Sequence, residues 1–269
     1  MAVADTEALR DIAVLVARET AELVLDARAD AITHVVTKSG ETDIVTEADK
    51  AAERLIRDRL AELGPGQPVL GEEGGGPTDL RGLTWVVDPI DGTVNYLYGL
   101  PWYAVSVAAQ MDGVSVAGAV VEPVSGRVWT ATRGGGAWLD GTPLRVSSTT
   151  RLELALVGSG FAYERDRRRR QAAVIGEVAG RVRDLRRGGA ASLDLCSVAA
   201  GWLDGYVEHG LHRWDWAAGA LIAEEAGAVV RLPGDAIRDG LGADATFAAA
   251  PGIAEDLRAT LVDAGIGSV

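Results

Sequence analysis

The chain has 269 residues, 48% of them hydrophobic and 24% charged, with a single cysteine, which is an ordinary globular composition. A chain of this length buries roughly three quarters of its unfolded surface without staples, and lone Cys196 excludes both a disulfide framework and a Cys-rich zinc site; it reads as a small buried hydrophobe in a reducing, cytoplasmic setting. No apolar run reaches the ~18 residues that cross a bilayer, the first ten residues lack a secretory pattern, and a net charge of −13 should repel nucleic acid and phosphorylated metabolites alike unless bound cations or inward-facing N–H groups reverse the local sign.

In chain order, Leu9, Ile12, Ala13, Val16, Leu23 and Val24 recur mostly at spacings of three, four and seven, predicting an amphipathic helix over residues 5–29. The polar segment 33–43 reads as a connection. Thr46 then stands as the N-cap of a helix that carries Asp49 in its first turn and runs through Leu55, Ile56, Leu60 and Leu63 to Gly64-Pro65. A glycine-rich acidic loop at 71–76 precedes a strand at Trp85-Val86-Val87, which ends in Asp88-Pro89-Ile90-Asp91-Gly92-Thr93; residues 93–98 look like a helix start. Strands at 103–109, 114–121 and 127–132, with Trp138-Leu139 entering an Asp140-Gly141 turn, predict antiparallel pairing.

Beyond about residue 150 the pattern alternates. Strands at 154–157, 182–185, 206–207, 229–230 and 246–249 are interleaved with helices at 166–180, 192–200, 214–226 and 253–262. Alternation of this kind argues for a layered α/β arrangement. With no repeat, low-complexity tract or Pro/Ser-rich linker, the halves 1–150 and 151–269 are expected to form one compact unit.

Glu72, Glu73, Asp88, Asp91 and Asp215 stand where the chain changes direction, not on a solvated helix face. A carboxylate at the end of an apolar strand, as Asp88 is, gains nothing from burial unless a positive group compensates it. Pro89 restricts the backbone before it and Gly92 permits unusual conformations, so Asp88, Asp91 and the Ile90 carbonyl can be aimed at one point. Oxygen ligands of this type suit Mg²⁺ or Mn²⁺. The following helix start at Thr93 favours an anion, so cation ligands and an anion cradle share one turn. Blander readings stand beside these: a D-P-x-D-G turn can cap its own backbone, paired glutamates beside glycines are usually solvated, and Asp215 can simply cap a helix.

Four blocks, K-S-x-x-x-D-x-V-T-x-x-D (38–49), Gly71-Glu72-Glu73, W-V-V-D-P-I-D-G-T-V-N (85–95) and W-D-x-A-A-G…E-A-G (214–227), occur in the order seen in the inositol monophosphatases, and the chain resembles that family over residues 5–262. The resemblance implies an α/β/α/β/α layered sandwich, usually a homodimer, and a Mg²⁺-dependent, lithium-sensitive phosphatase that hydrolyses inositol 1-phosphate with metal-activated water. It implies a first ion on Glu72, Asp88 and the Ile90 carbonyl, a second on Asp88, Asp91 and Asp215, and a third, weaker one on Glu72, with Mn²⁺ as a substitute. Thr93 with Asp49 would orient and deprotonate the attacking water. Gly92 and Thr93 N–H groups would take the phosphate, and Glu208 with the backbone at Gly189, Ala190 and Ala191 would take substrate hydroxyls. Lys38, Asp43 and Glu73 match positions beside the site. Ala190 stands where many relatives carry Ser or Thr, which removes one hydroxyl contact.

The shared motifs leave histidinol phosphate, fructose 1,6-bisphosphate and nucleotide 3′-phosphates as rival substrates; the Glu208 block and the lack of clustered Lys/Arg around it favour inositol 1-phosphate. Some bacterial relatives act as regulatory proteins in transcription, which keeps a binding role open as an alternative of another class. His209 and His212 read as loop residues in preference to zinc ligands, Trp102 and Trp214 as walls of the site, and the run Arg165 and Arg167 to Arg170 as a solvated helix face or a contact for a partner.

Overall fold

The computed structural model describes residues 5–31, 35–37, 44–64, 66–235 and 239–269. Helix α1 (Thr6–Ala31) is followed by a hairpin of β1 (Val35–Thr37) and β2 (Ile44–Thr46), and then by α2 (Glu47–Leu63). Thr46 thus occupies the position before α2, as its residue type suggested, while the hairpin replaces the expected polar connection. Next come β3 (Val69–Gly71), β4 (Leu83–Asp91), α3 (Thr93–Tyr98), β5 (Ala104–Met111), β6 (Val114–Val121), β7 (Val128–Thr132), β8 (Gly136–Leu139) and β9 (Thr142–Pro143). The second half supplies β10 (Leu156–Ser159), α4 (Arg165–Ala179), β11 (Asp184–Arg186), α5 (Ala191–Ala199), β12 (Gly205–His209), α6 (Arg213–Glu225), β13 (Val229–Arg231), β14 (Ala245–Ala249) and α7 (Ala254–Asp263).

Strands β3 to β9 form a seven-stranded sheet in chain order, antiparallel except for the parallel β3–β4 pair. A five-stranded sheet of order β11-β10-β12-β14-β13 has β10 parallel to both neighbours and antiparallel pairs at β12–β14 and β14–β13. Side chains alternate across each sheet with the period of two that pleating dictates. On β4 and β5, Trp85, Val87, Val105, Val107 and Ala109 face the core under α1 and α2, whereas Val86, Ala104 and Ala108 face the core containing α5 and α6. On the smaller sheet, Tyr206 and Ala248 face α5 and α6, while Val207, Phe247 and Ala249 face α4 and α7. The result is five layers: α1 and α2, the large sheet, α5 and α6, the small sheet, then α4 and α7. Among the described residues no helix is long and apolar enough to cross a membrane.

One departure from the sequence reading lies in β4. The strand does not end at Asp88 but continues to Asp91, with a register shift in which Asp88 pairs Ser106 and Asp91 pairs Ala104. Pro89 has no N–H to give to the ladder, so the strand bulges there and re-aims both flanking carboxylates.

Candidate functional site

A cavity of about 430 Å³ opens where the two sheets' loops meet, and Glu72, Asp88, Ile90, Asp91, Gly92, Thr93, Gly189, Ala191, Glu208 and Asp215 line it. Its acidic residues come from separate elements: Glu72 from the loop after β3, Asp88 and Asp91 from either side of the β4 bulge, Asp215 from the first turn of α6 and Glu208 from β12. Gly92, at φ 95°, turns the chain from β4 into α3 in the left-handed region that glycine adopts without strain.

Three of these carboxylates accept backbone N–H groups. Asp88 Oδ1 accepts the Ile90 N–H at 3.0 Å. Asp91 accepts Ala191 N–H at 3.1 Å, Ser192 N–H at 2.7 Å and Ser192 Oγ at 2.5 Å, so it caps α5 from the other half of the molecule. Asp215 Oδ2 accepts the His212 N–H at 2.6 Å. Asp215 both caps α6 and lines the cavity, so the capping role does not take it away from the site.

Burial pushes the Asp88 carboxyl well up, and the charges of Glu72, Asp91 and Asp215 push it further. Asp215 is likewise raised, by burial and then by Asp91 and Glu72. Asp91 rises to about 6 through burial, against which its Ser192 and Ala191 hydrogen bonds pull down. Glu208 rises to about 7 by burial, opposed by the Tyr206 hydroxyl, which donates to its Oε2 at 2.5 Å, and by Arg187. Carboxylates gathered this way repel one another out of water, and a multivalent cation is the natural compensation. The carboxylates and the Ile90 carbonyl offer oxygen donors, the type that Mg²⁺ or Mn²⁺ takes. Among the described residues no three His, Cys, Asp or Glu side chains already stand in ligating geometry; with Asp91 and Asp215 bonded to backbone N–H, a cation would take their remaining lone pairs.

Behind this cluster, the Thr93 hydroxyl lies 3.2 Å from Asp49 Oδ1 and 3.1 Å from the Ile90 carbonyl. Asp49 is fully buried on α2, beneath Thr93 and not on the cavity wall. Ala190 is also off the wall: its side chain is buried in the core between the sheets, and only its neighbours Gly189 and Ala191 reach the cavity. Glu73 sits on the loop beside Glu72, and Lys38 and Asp43 lie outside the described residues. Trp214 lines the site as expected, but Trp102 lines a second cavity with Asp194 and Trp202.

His209 is buried with Nε2 2.6 Å from the Leu241 carbonyl, and His212 stacks on Trp214 with ring centroids 4.8 Å apart. Arg167 leaves the helix face predicted for it and pairs with Asp244 at 2.6 Å. Arg167 and Arg187 both line the cavity, and the Arg187 charge acts on Glu208, where the sequence suggested no cation. Ser192 and Tyr206 were not legible either; a Ser in a helix and a Tyr in a strand carry no signal of the carboxylates they touch.

A family profile described as the inositol monophosphatase family matches residues 5–264. A protein named inositol-1-monophosphatase from Mycobacterium leprae is 53% identical over 277 residues, covering 96% of this chain and 94% of that one. A protein named Nus factor SuhB from Pseudomonas aeruginosa is 41% identical over 82% of this chain and 83% of its own. Among solved structures, Mycobacterium tuberculosis SuhB superposes with a TM-score of 0.84 at 44% identity, covering 98% of this chain and 99% of that one.

Proposed function

Because the chain belongs to the inositol monophosphatase family, we propose that it hydrolyses inositol 1-phosphate to inositol and phosphate in a Mg²⁺-dependent reaction. The observation that carries this reading is the convergence of Glu72, Asp88, Asp91 and Asp215 on one cavity beside Gly92 and Thr93. Glu72, Asp88 and the Ile90 carbonyl would hold one ion, Asp88, Asp91 and Asp215 a second, and Glu72 a weaker third. When bound, such ions supply Lewis acidity, lowering the pKa of water and neutralising phosphoryl charge.

The chain's own groups do the rest. The Thr93 hydroxyl, donating toward Asp49, keeps lone pairs that accept a hydrogen bond from the attacking water and orient it; as the water's proton moves to Thr93, the Thr93 proton passes to the Asp49 carboxylate, so Asp49 is the base acting through Thr93. N–H groups of Gly92 and Thr93 at the head of α3 receive phosphate oxygens. Glu208, steadied by Tyr206, accepts hydroxyls of the departing polyol, with backbone at Gly189 and Ala191 beside it. Glu73 contributes to the acidic loop without entering the cavity.

A substrate panel scored by released phosphate in Mg²⁺ tests the reading. Inositol 1-phosphate should turn over faster than histidinol phosphate, fructose 1,6-bisphosphate or a nucleotide 3′-phosphate, and Li⁺ at tens of millimolar should inhibit; faster turnover of any rival displaces inositol 1-phosphate. A cytoplasmic homodimer completes the proposal, supported by free, buried Cys196 and by exposed Tyr98 at the end of α3 and Leu100 beyond it; light scattering on the eluted protein tests the dimer. A second reading, binding in transcription, draws on the Nus factor relative and on exposed Arg165, Arg169 and Arg170 of α4. Genetic complementation by Asp91→Asn separates the two, because a binding role survives the loss of hydrolysis.

A further inference from the structure

Buried Glu53 and half-buried Arg57, one helical turn apart on α2, form an ion pair that the cavity does not use directly. Glu53 Oε2 accepts the Glu73 N–H at 2.6 Å and Oε1 the Gly74 N–H at 2.8 Å. Arg57 donates to Glu53 at 2.8 Å, to the Val69 carbonyl at 3.2 Å and to the Gly75 carbonyl at 2.6 Å. The backbone on both sides of Glu72 is thus tied to one rigid helix, and the Gly71 N–H closes the loop on the Gly75 carbonyl at 3.0 Å. The glycines of the loop are explained by this pair: a Cβ at Gly71 or Gly74 would meet the Glu53 carboxylate at 2.6 or 2.7 Å.

We propose that Glu53 and Arg57 are positioning residues for Glu72, and that by holding the 71–75 loop against α2 they set the affinity of the acidic cluster for its divalent cation. The proposal rests on the metal reading given above. A loop hydrogen-bonded only to itself would leave the backbone that carries Glu72 free to shift relative to Asp88. The clamp opposes that shift with charge-assisted hydrogen bonds to backbone on both flanks of the ligand.

Glu53→Gln keeps the side-chain volume but leaves one acceptor oxygen where two are used, so one loop N–H loses its partner. Arg57→Lys keeps the charge and loses the forked donation to two carbonyls. Glu122→Gln is the control: Glu122 is equally buried and accepts from Trp129 Nε1 at 2.8 Å and Ser125 Oγ at 2.7 Å, outside the cavity. Mg²⁺ binding is read by calorimetry and melting temperature is read without Mg²⁺, for the full chain and all three variants. The expected result is a dissociation constant raised about 10-fold or more in Glu53→Gln, in the range of other outer contacts to metal sites. A smaller rise is expected in Arg57→Lys and none in Glu122→Gln, and hydrolysis by the first two should recover at raised Mg²⁺. If Glu53→Gln does not fold, Arg57→Lys carries the comparison. Unchanged Mg²⁺ binding with a lowered melting temperature would overturn the proposal, since the pair would then hold only the fold. A wild-type protein that takes up no Mg²⁺ would instead overturn the metal reading, and this proposal with it.

Discussion

At the scale of single residues, one carboxylate can serve architecture and, under the proposed function, chemistry as well. Asp91 caps α5 through Ala191 and Ser192 while facing the cavity. Asp91→Asn places an NH₂ against donors that need an acceptor and removes a charged ligand, so hydrolysis should fall at least about 100-fold, beyond the usual effect of outer contacts; phosphate release in Mg²⁺ reads it, with circular dichroism to check the fold. Glu208 poses a different problem, because burial pushes it up to about 7 and the Tyr206 hydroxyl helps hold it down. Tyr206→Phe removes that donor, so Glu208 keeps its proton to higher pH. The limb on which KM for inositol 1-phosphate falls with rising pH should move upward by about one to two units, with kcat little changed, as a hydrogen bond to a charged group is worth roughly 1.5–3 kcal/mol. KM measured from pH 5.5 to 9 decides it.

Elements explain why the motifs have the residue types they do. The W-D-x-A-A-G block puts Asp215 in the first turn of α6 and then Ala217, Ala218 and Gly219 on a helix wedged between the two sheets. Ala218 is fully buried against Gly118 of β6, where an added Cβ would lie 3.1 Å from the Ala218 methyl. Small residues there let α6 approach the sheet closely enough for Asp215 to reach the β4 carboxylates. Ala218→Leu should overpack this contact at a cost of about 1–3 kcal/mol, seen as a lower urea midpoint, and should weaken Mg²⁺ binding as α6 is pushed outward. The β4 bulge works the same way: Pro89 breaks the ladder between Asp88 and Asp91, which a purely regular strand would have sent to alternating positions.

Across the whole molecule, electrostatics couples stability to the cation. The folded-state carboxyls of Asp91, at about 6, and Glu208, at about 7, lie above their ordinary values of 3.8 and 4.5, and those of Asp88 and Asp215 are raised as well. The folded protein therefore holds protons that the unfolded chain releases, so this contribution is full below about pH 4 and is lost as pH rises through 6 to 7. Metal-free protein should melt at progressively lower temperature across that window. A fixed Mg²⁺ concentration, about 100 times the dissociation constant at pH 8, should restore about 2.7 kcal/mol there, and the same concentration should raise the melting temperature less at pH 5, where protons compete for the carboxylates; equal shifts at both would contradict the coupling.

Much of this was readable from the chain alone. Period-two and period-3.6 patterns place strands such as β6 and helices such as α1 because burial of one face is a local, repeating demand. Turn chemistry marks the Asp88 to Thr93 segment because Pro and Gly act on the backbone wherever they occur. What only the tertiary structure decided are the partners: Glu53 under the Glu72 loop, Ser192 on Asp91, Tyr206 on Glu208, and Arg167 and Arg187 at the cavity wall. Those contacts join residues far apart in sequence, and a hydrogen bond leaves no periodicity behind. Side-chain type says what a residue can do, whereas the layering of two sheets around α5 and α6 says what it meets.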